Sequence, residues 1–480
     1  MPDPTLLPSR NPRTGALDYD MPVVDAGGVA AAAEKLRAKQ PAWAAAPVAE
    51  RLASIRALGA ALATAKPALT DAIAADTGRR KESAMEVDAV QRIIDRWLEE
   101  APQLLAETPR RRSRIGHVLI EEHRRPYPVA GIISPWNFPL ILSLIDAIPA
   151  LAAGCAALIK PSEATPRFVP ALRTAIDQVP GLADVLQIVT GPGTTGEALI
   201  RNSDVICFTG SVRTGRQVAK LAADAFIPAH LELGGKDAAI VCADADLALA
   251  ARAIAWGSMG AAGQSCMSIE RCYVHESIHD RFVELLAAQV GRLEHCWPDI
   301  DQGEIGPIIA AVQVPIVERH LAEAQAAGAR AVTGGRVLRH GGGAWCQPTI
   351  LVDATHDMAI VREETFAAVL PVMRFATEAE AVRLANASDY GLSGCVFSRD
   401  LERARRIASR MEAGAISIND AALTAMVYDA PKQSFKYSGL GGSRMGSASL
   451  PRFYRQQAFL INDGTPSPWW FPVDAVMDKE

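Results

Sequence analysis

Apolar positions recur every three to four residues through 29–63 and 66–106, on alanine-rich faces, and predict a helical opening to the chain. From residue 129 the pattern changes. Short apolar, β-rich runs at 129–133, 156–160, 185–189, 205–208, 230–233 and 238–241 alternate with helical stretches at 140–153, 166–178, 195–201 and 214–225. Near-continuous apolar strands separated by helices are what a parallel sheet covered on both faces requires, so this region predicts an open α/β layer. A second α/β series follows from 247 to about 418. Between the helical opening and the first strand, residues 117–122 alternate apolar and polar side chains and end in Arg124-Arg125-Pro126, as a hairpin arm outside either core would. Such an arm leaves a strand edge to pair with another subunit.

A chain of 480 residues exceeds the size at which a single core stops growing, so two or three domains are expected. Its eight cysteines are scattered, with no CxxC pair and no His/Cys ligand spacing. That pattern predicts reduced thiols, a cytoplasmic setting and no bound metal. Residues 1–15 contain no apolar signal core, and the longest apolar run, 139–158, is interrupted by Asp146 and holds Pro149 and Gly154, so no membrane span is expected. A formal charge of −5 lacks the basic excess that nucleic acid requires. The one basic cluster, Arg110-Arg111-Arg112 with Arg114 and Arg124-Arg125, reads as a solvated or subunit-facing strip. Near the C-terminus, prolines punctuate Trp469-Trp470-Phe471, an aromatic triplet predicted to dock on a neighbouring subunit.

The chemistry gathers elsewhere. A run poor in side chains, Gly257-Ser258-Met259-Gly260-Ala261-Ala262-Gly263-Gln264-Ser265, leads into Cys266, and the compact cluster Glu232-Leu233-Gly234-Gly235-Lys236 lies upstream. Together they point to a thiol nucleophile with a carboxylate base. An ordinary cysteine, with a pKa near ~8.5, is only slightly ionised at neutral pH, whereas a loop of glycine and alanine lets backbone amides approach the sulfur and an oxyanion beside it. Taken alone, Cys266 reads more simply as a small buried hydrophobe, as Cys155, Cys207 and Cys242 do in their apolar runs.

Gly191-Pro192-Gly193-Thr194-Thr195-Gly196 matches the dinucleotide fingerprint, follows a strand and opens a helix, but the acidic partner expected about 20 residues on is replaced by Ser211, Arg213 and Arg216. Two other strand ends carry Phe208-Thr209-Gly210-Ser211 and Lys160-Pro161-Ser162-Glu163. Tight-turn glycines, serine helix caps and a surface ion pair explain each singly. Three successive strand ends bearing such residues point to a ligand, because ligands of open α/β sheets collect at that edge. At Ser134-Pro135-Trp136-Asn137-Phe138-Pro139 an asparagine is held between prolines and aromatics after a strand, either as an oxyanion donor or as a rigid turn into a helix.

Taken in order, Pro135-Trp136-Asn137-Phe138-Pro139, Lys160-Pro161-Ser162-Glu163, Phe208-Thr209-Gly210-Ser211, Glu232-Leu233-Gly234-Gly235-Lys236, Gly263-Gln264-Ser265-Cys266 and Glu363-Glu364-Thr365-Phe366 resemble the NAD(P)-dependent aldehyde dehydrogenase superfamily, over about residues 42–462. The resemblance implies an α/β fold with a Rossmann-like cofactor domain (1–115 and 128–235), an α/β catalytic domain (236–430) and a small β-hairpin oligomerisation arm with a tail (116–127 and 455–480), assembled as a homodimer or homotetramer. It implies that Cys266 adds to the aldehyde, that the Asn137 amide and the Cys266 N–H hold the oxyanion, and that Glu232 activates the hydrolytic water and helps deprotonate the thiol. Lys160, Ser162 and Glu163 become contacts to the adenosine ribose, Gly210 and Ser211 the pyrophosphate site, and Gly191 a neighbour of the adenine. Glu364 and Phe366 fall on the nicotinamide side, with Ser134, Pro135, Trp136 and Leu233 completing the cofactor set.

By the same resemblance Leu142, Ile145, Met267, Leu423, Met426 and Tyr428 line the substrate tunnel. None is cationic, which favours an uncharged aromatic or medium aliphatic aldehyde over a semialdehyde. The CoA-acylating branch is the alternative enzyme, disfavoured by Glu232; a silent structural role and a papain-like protease fit less well. Glu163 would repel a 2′-phosphate and favours NAD, while Lys160 and Ser162 leave NADP open. Three departures stand out. Ala367-Ala368 replace the usual Gly-Pro, predicting a looser loop around Glu364. Pro431-Lys432-Gln433-Ser434 lacks both customary glycines, predicting a specialised mouth. Asp146 replaces a common lysine, either as part of a proton path or as the partner of an arginine.

Overall fold

The computed structural model describes residues 5–464, so the predicted aromatic anchor at Trp469-Trp470-Phe471 lies outside the described residues. The opening is three helices, Ala26–Ala45, Val48–Thr77 and Arg80–Leu104, rather than the two that periodicity predicts. Proline explains the difference. The second helix runs through Pro67, next to the predicted start at 66, whereas Pro47 holds the break after the first helix with Ala46 extended at ψ 141°. Gly78 then closes the second helix at φ 68°, a left-handed conformation that suits glycine.

The apolar strands assemble as their pattern requires. Val129–Ile133, Ala156–Lys160, Leu186–Ile188, Val205–Thr209 and Ala229–Glu232 form a parallel sheet in the order Ala229–Glu232, Val205–Thr209, Val129–Ile133, Ala156–Lys160, Leu186–Ile188, and Gly439–Leu440 adds an antiparallel edge beside Ala229–Glu232. Asp237–Val241 does not continue this sheet, although the alternation groups it there. It lies inside a second, seven-stranded sheet, flanked by Ile269–His275 and Ser393–Phe397. The four residues Leu233 to Lys236 therefore pass from one sheet to the other.

The predicted hairpin is a three-stranded antiparallel sheet. Val118–Pro126 pairs along its whole length with Tyr454–Asn462, which arrives from the far end of the chain, and only briefly with Arg111–Arg112. Its basic strip is paired internally: Arg110 with Glu121, Arg111 with Glu122 and Arg112 with Asp463. Exposed charges of this kind contribute little stability, but they offset three of the strip's six arginines, while Arg124 and Arg125 donate to carbonyls and to Gln457. Phe459, Leu460 and Ile461 remain exposed on the outer strand. Among the described residues, no helix is long and apolar enough to cross a membrane and no cluster of His, Cys, Asp and Glu is arranged to hold a metal.

Candidate active site

The helix Leu247–Met259 ends at Gly260, and the next three residues turn left-handed, with φ 55° at Ala261, 56° at Ala262 and 71° at Gly263. Left-handed backbone costs an alanine about 1–2 kcal/mol, so the loop must be held from outside. Arg79 supplies one hold, donating 2.9 Å to the Ala261 carbonyl. Gln264, fully buried, supplies the other: its Nε2 donates to the Pro307 carbonyl and its Oε1 accepts from the Ile309 N–H, both at 2.9 Å. A Cβ at Gly263 would strike the Ala367 carbonyl. This fixed turn delivers Cys266, partly exposed while the other seven cysteines are buried.

Asn137 meets this loop from the other sheet. The helix Pro139–Ala153 has no side-chain cap of its own; Pro139 has no N–H to satisfy, and the free N–H groups of Leu140 and Ile141 donate to Glu86 at 2.7 and 2.9 Å. Burial raises the Glu86 carboxyl to about 7, with Arg79 and those two N–H groups opposing. Arg79 also donates to the Asn137 carbonyl at 2.5 Å, and Asn137 Nδ2 donates to the Gln264 carbonyl at 3.0 Å. The amide thus faces the loop that carries Cys266, with its second N–H free of that bond.

Glu232 ends the strand Ala229–Glu232, and its Oε2 accepts from the Ser434 hydroxyl at 3.0 Å. The chain leaving it is pinned at each residue. Leu233 N–H donates to the Ser438 carbonyl at 2.8 Å, the Ser438 hydroxyl to the Gly234 carbonyl at 2.7 Å, Gly235 N–H to Glu364 Oε1 at 2.9 Å, and Lys236 Nζ to Glu270 at 2.5 Å. Both glycines sit in close quarters, Gly235 against backbone. A Cβ at Gly234 would sit 2.6 Å from the Glu364 carboxylate, and one at Gly235 would strike the Cys266 carbonyl oxygen. The loop around Glu364 is firm rather than loose, because Glu270 accepts from Thr365 and Phe366 N–H at 2.8 and 2.9 Å. Burial, with Glu270 adding to it, pushes Glu364 up to about 8.

Asp146 resolves as the partner of two arginines. Its oxygens accept from Arg444 at 2.8 Å and Arg452 at 2.7 Å, and Arg444 also reaches the Thr209 hydroxyl. Burial favours the neutral acid, but the two guanidiniums more than offset it and hold the Asp146 carboxyl below its usual value. Replacing Asp146 by alanine strands both guanidiniums in the interior. A loss of about 3–5 kcal/mol is expected, seen as a fall in the thermal midpoint. An unchanged midpoint would show that the cluster carries no stability.

Asn137, Glu232 and Cys266 all line one cavity of about 660 Å³. Of the predicted tunnel residues, Leu142, Ile145, Met267, Met426 and Tyr428 line it and Leu423, exposed on its short helix, does not. Sequence reasoning missed five cations in the wall, Lys432 and Arg444 together with the exposed Lys81, Arg92 and Arg252, along with Trp256 and Met85 at the exposed rim. The premise that the tunnel contains no cation therefore fails. The signal available was the sequence 431–434, where two bulkier polar residues stand in place of glycines.

The predicted cofactor residues collect at the carboxyl edge of the first sheet. Ser134, Pro135 and Trp136 follow Val129–Ile133; Lys160, Ser162 and Glu163 end or follow Ala156–Lys160; Gly191 follows Leu186–Ile188; Gly210 and Ser211 follow Val205–Thr209; Leu233 follows Ala229–Glu232. Buried Lys160 Nζ lies 3.1 Å from Glu163, and Ser211 caps the helix Val212–Asp224 by accepting from Thr214 N–H at 3.3 Å. That helix start leaves free amides beside Gly210, where a Cβ would run into the Phe208 ring. A helix terminus with open backbone and no side chain over it fits a pyrophosphate. Phe366 reaches the same edge from the second lobe, its ring 5.3 Å from that of Trp136 and set edge-on.

Fold and site define an oxidoreductase with a dinucleotide cofactor. The chain belongs to the aldehyde dehydrogenase family, whose family model matches residues 2–459. It is 34% identical to a 4,4'-diapolycopene aldehyde oxidase of Methylomonas sp., over 98% of this chain and 89% of that one. Among solved structures, PutA of Anabaena variabilis is 47% identical with a TM-score of 0.95, over 97% of this chain and all of that one (100%). Betaine aldehyde dehydrogenase of Staphylococcus aureus in complex with NAD+ is 28% identical with a TM-score of 0.91, over 98% and 94%. The enzyme is an NAD(P)-dependent aldehyde dehydrogenase.

Proposed function

We propose that this enzyme oxidises an uncharged aromatic or medium aliphatic aldehyde to its acid through a thioester on Cys266. The observation that carries the reading is the shared cavity, in which Cys266, the one cysteine residue that is not fully buried, meets the Asn137 amide and the Glu232 carboxylate. Cys266 adds to the aldehyde carbon, and Asn137 Nδ2 with the Cys266 N–H stabilises the oxyanion. Bound NAD(P) supplies a hydride acceptor. Glu232 then takes a proton from the water that cleaves the thioester, and its hydrogen bond to Ser434 keeps the carboxylate aimed.

The unexpected cations do not overturn an uncharged substrate: Lys81, Arg92 and Arg252 are exposed to water, and the two that are not, Lys432 and Arg444, are engaged. Arg444 is committed to Asp146 and Thr209, and Lys432 to the Thr424 carbonyl beside Met267, at the reacting end of the cavity. Leu142, Ile145 and Tyr428 form an apolar stretch of the wall, where a substrate carboxylate would lose its water and could pair only with the solvated Lys81, Arg92 or Arg252. Comparing kcat/KM for benzaldehyde, octanal and succinate semialdehyde tests this. The semialdehyde is expected to be about 100-fold poorer, and its being the best of the three would overturn the proposal. NAD is the expected cofactor, since Glu163 stands beside Lys160 where a 2′-phosphate would lie. Pairing of the 454–462 strand between copies, into a dimer or tetramer in the cytoplasm, completes the reading.

A further inference from the structure

Cys266 has a problem that its fixed loop does not solve. Burial of the sulfur, together with the nearby carboxylates of Asp237, Glu364 and Glu232, pushes the thiol up to about 12, with Arg444 opposing. A thiol held that firmly is a poor nucleophile at neutral pH. The customary base, Glu232, makes matters worse while it is ionised. Any cation facing the sulfur therefore lowers the cost of ionising it.

The segment after Pro431 brings one. Lys432 Nζ sits 3.6 Å from the sulfur of Met267, the residue following Cys266, and donates to the Thr424 carbonyl. Lys432 and Cys266 line the same cavity. Two residues on, Ser434 donates to Glu232 at 3.0 Å, so one short stretch addresses both the nucleophile's surroundings and the base. The lysine is itself partly desolvated, which lowers its pKa, while Glu232, Cys266 and Asp237 draw it back towards the charged form and Arg444 opposes. Around the sulfur, Arg444 and Arg452 share Asp146, whereas Lys432 has no carboxylate in ion-pair contact among the described residues.

We propose that Lys432 is the counter-ion of the Cys266 thiolate: a positioning residue that makes ionisation of the nucleophile possible in a site crowded with carboxylates. In the step it assists, the Cys266 S–H bond breaks, the proton passes to solvent, and the sulfur keeps the electron pair in the cavity that the Lys432 ammonium lines. One proton moves, and the total charge of protein and solvent is unchanged. The proposal rests on Cys266 being the nucleophile, and it assigns to residue 432 a role that an apolar or small residue could not fill.

Alkylation by iodoacetamide reads thiolate directly, without substrate or cofactor. The rate is followed across neutral to alkaline pH in the full-length enzyme, with Cys266→Ser as the background for the seven buried cysteines. Lys432→Met is expected to move the alkylation midpoint up by about one unit, a tenfold loss of rate at fixed neutral pH, and Lys432→Arg to restore most of it. Should methionine unfold the chain, Lys432→Gln replaces it, with the same shift expected. A midpoint that stays in place in the folded Met or Gln variant overturns the proposal. Full NADH formation by Cys266→Ser would instead overturn the nucleophile itself, so the two failures are distinguishable.

Discussion

Replacing Cys266 by alanine is expected to lower aldehyde-dependent NADH formation by about 10⁴-fold or more, since removal of a covalent nucleophile leaves only binding and oxyanion stabilisation. The loop around it should not collapse. Its left-handed turn is held by Arg79 and Gln264, neither of which uses the sulfur, so the thermal midpoint should stay close to that of the parent. Stopped-flow and steady-state NADH fluorescence with a single good aldehyde measures the effect. Turnover within tenfold of the parent would remove the covalent mechanism altogether.

The second large effect is expected at Glu232. Glu232→Gln keeps the side chain's shape and an oxygen to accept from Ser434, but it cannot take a proton from water. The first turnover should still release about one NADH per subunit, while steady-state turnover falls by about 10²–10⁴-fold as acyl-enzyme accumulates. Mass spectrometry of the quenched protein should show the acyl adduct on Cys266. A burst slowed as much as turnover would assign Glu232 to thiol deprotonation; unchanged turnover would strip it of any role.

Much of this architecture was readable from periodicity because its strands are buried on both faces. The runs at 129–133 and 156–160 coincide end for end with strands, since nothing but uniform apolar character is needed there. Helix ends were less legible. Proline at 67 reads locally as a breaker, yet tertiary packing of Val48–Thr77 against Arg80–Leu104 carries the helix through it. The site divides the same way. Residues on strand ends announce themselves because strand, turn and helix are contiguous in sequence. Asp146 could not announce its partners, which lie 298 and 306 residues away. Nor could Arg79, 182 residues from the loop it braces, or Lys432, whose position in the cavity wall depends on how the 431–446 segment lies across both lobes.

The short passage from Glu232 to Asp237 has a mechanical meaning. It is at once the seam between the two sheets and the spacer that sets how far the base stands from the sulfur, and each of its links is tied down to a different neighbour. Any hinge-like swing of one lobe against the other would be transmitted straight into the reaction centre. Four hydrogen bonds hold that seam, so the separation of carboxylate and thiol is set by backbone packing rather than by the side chains alone.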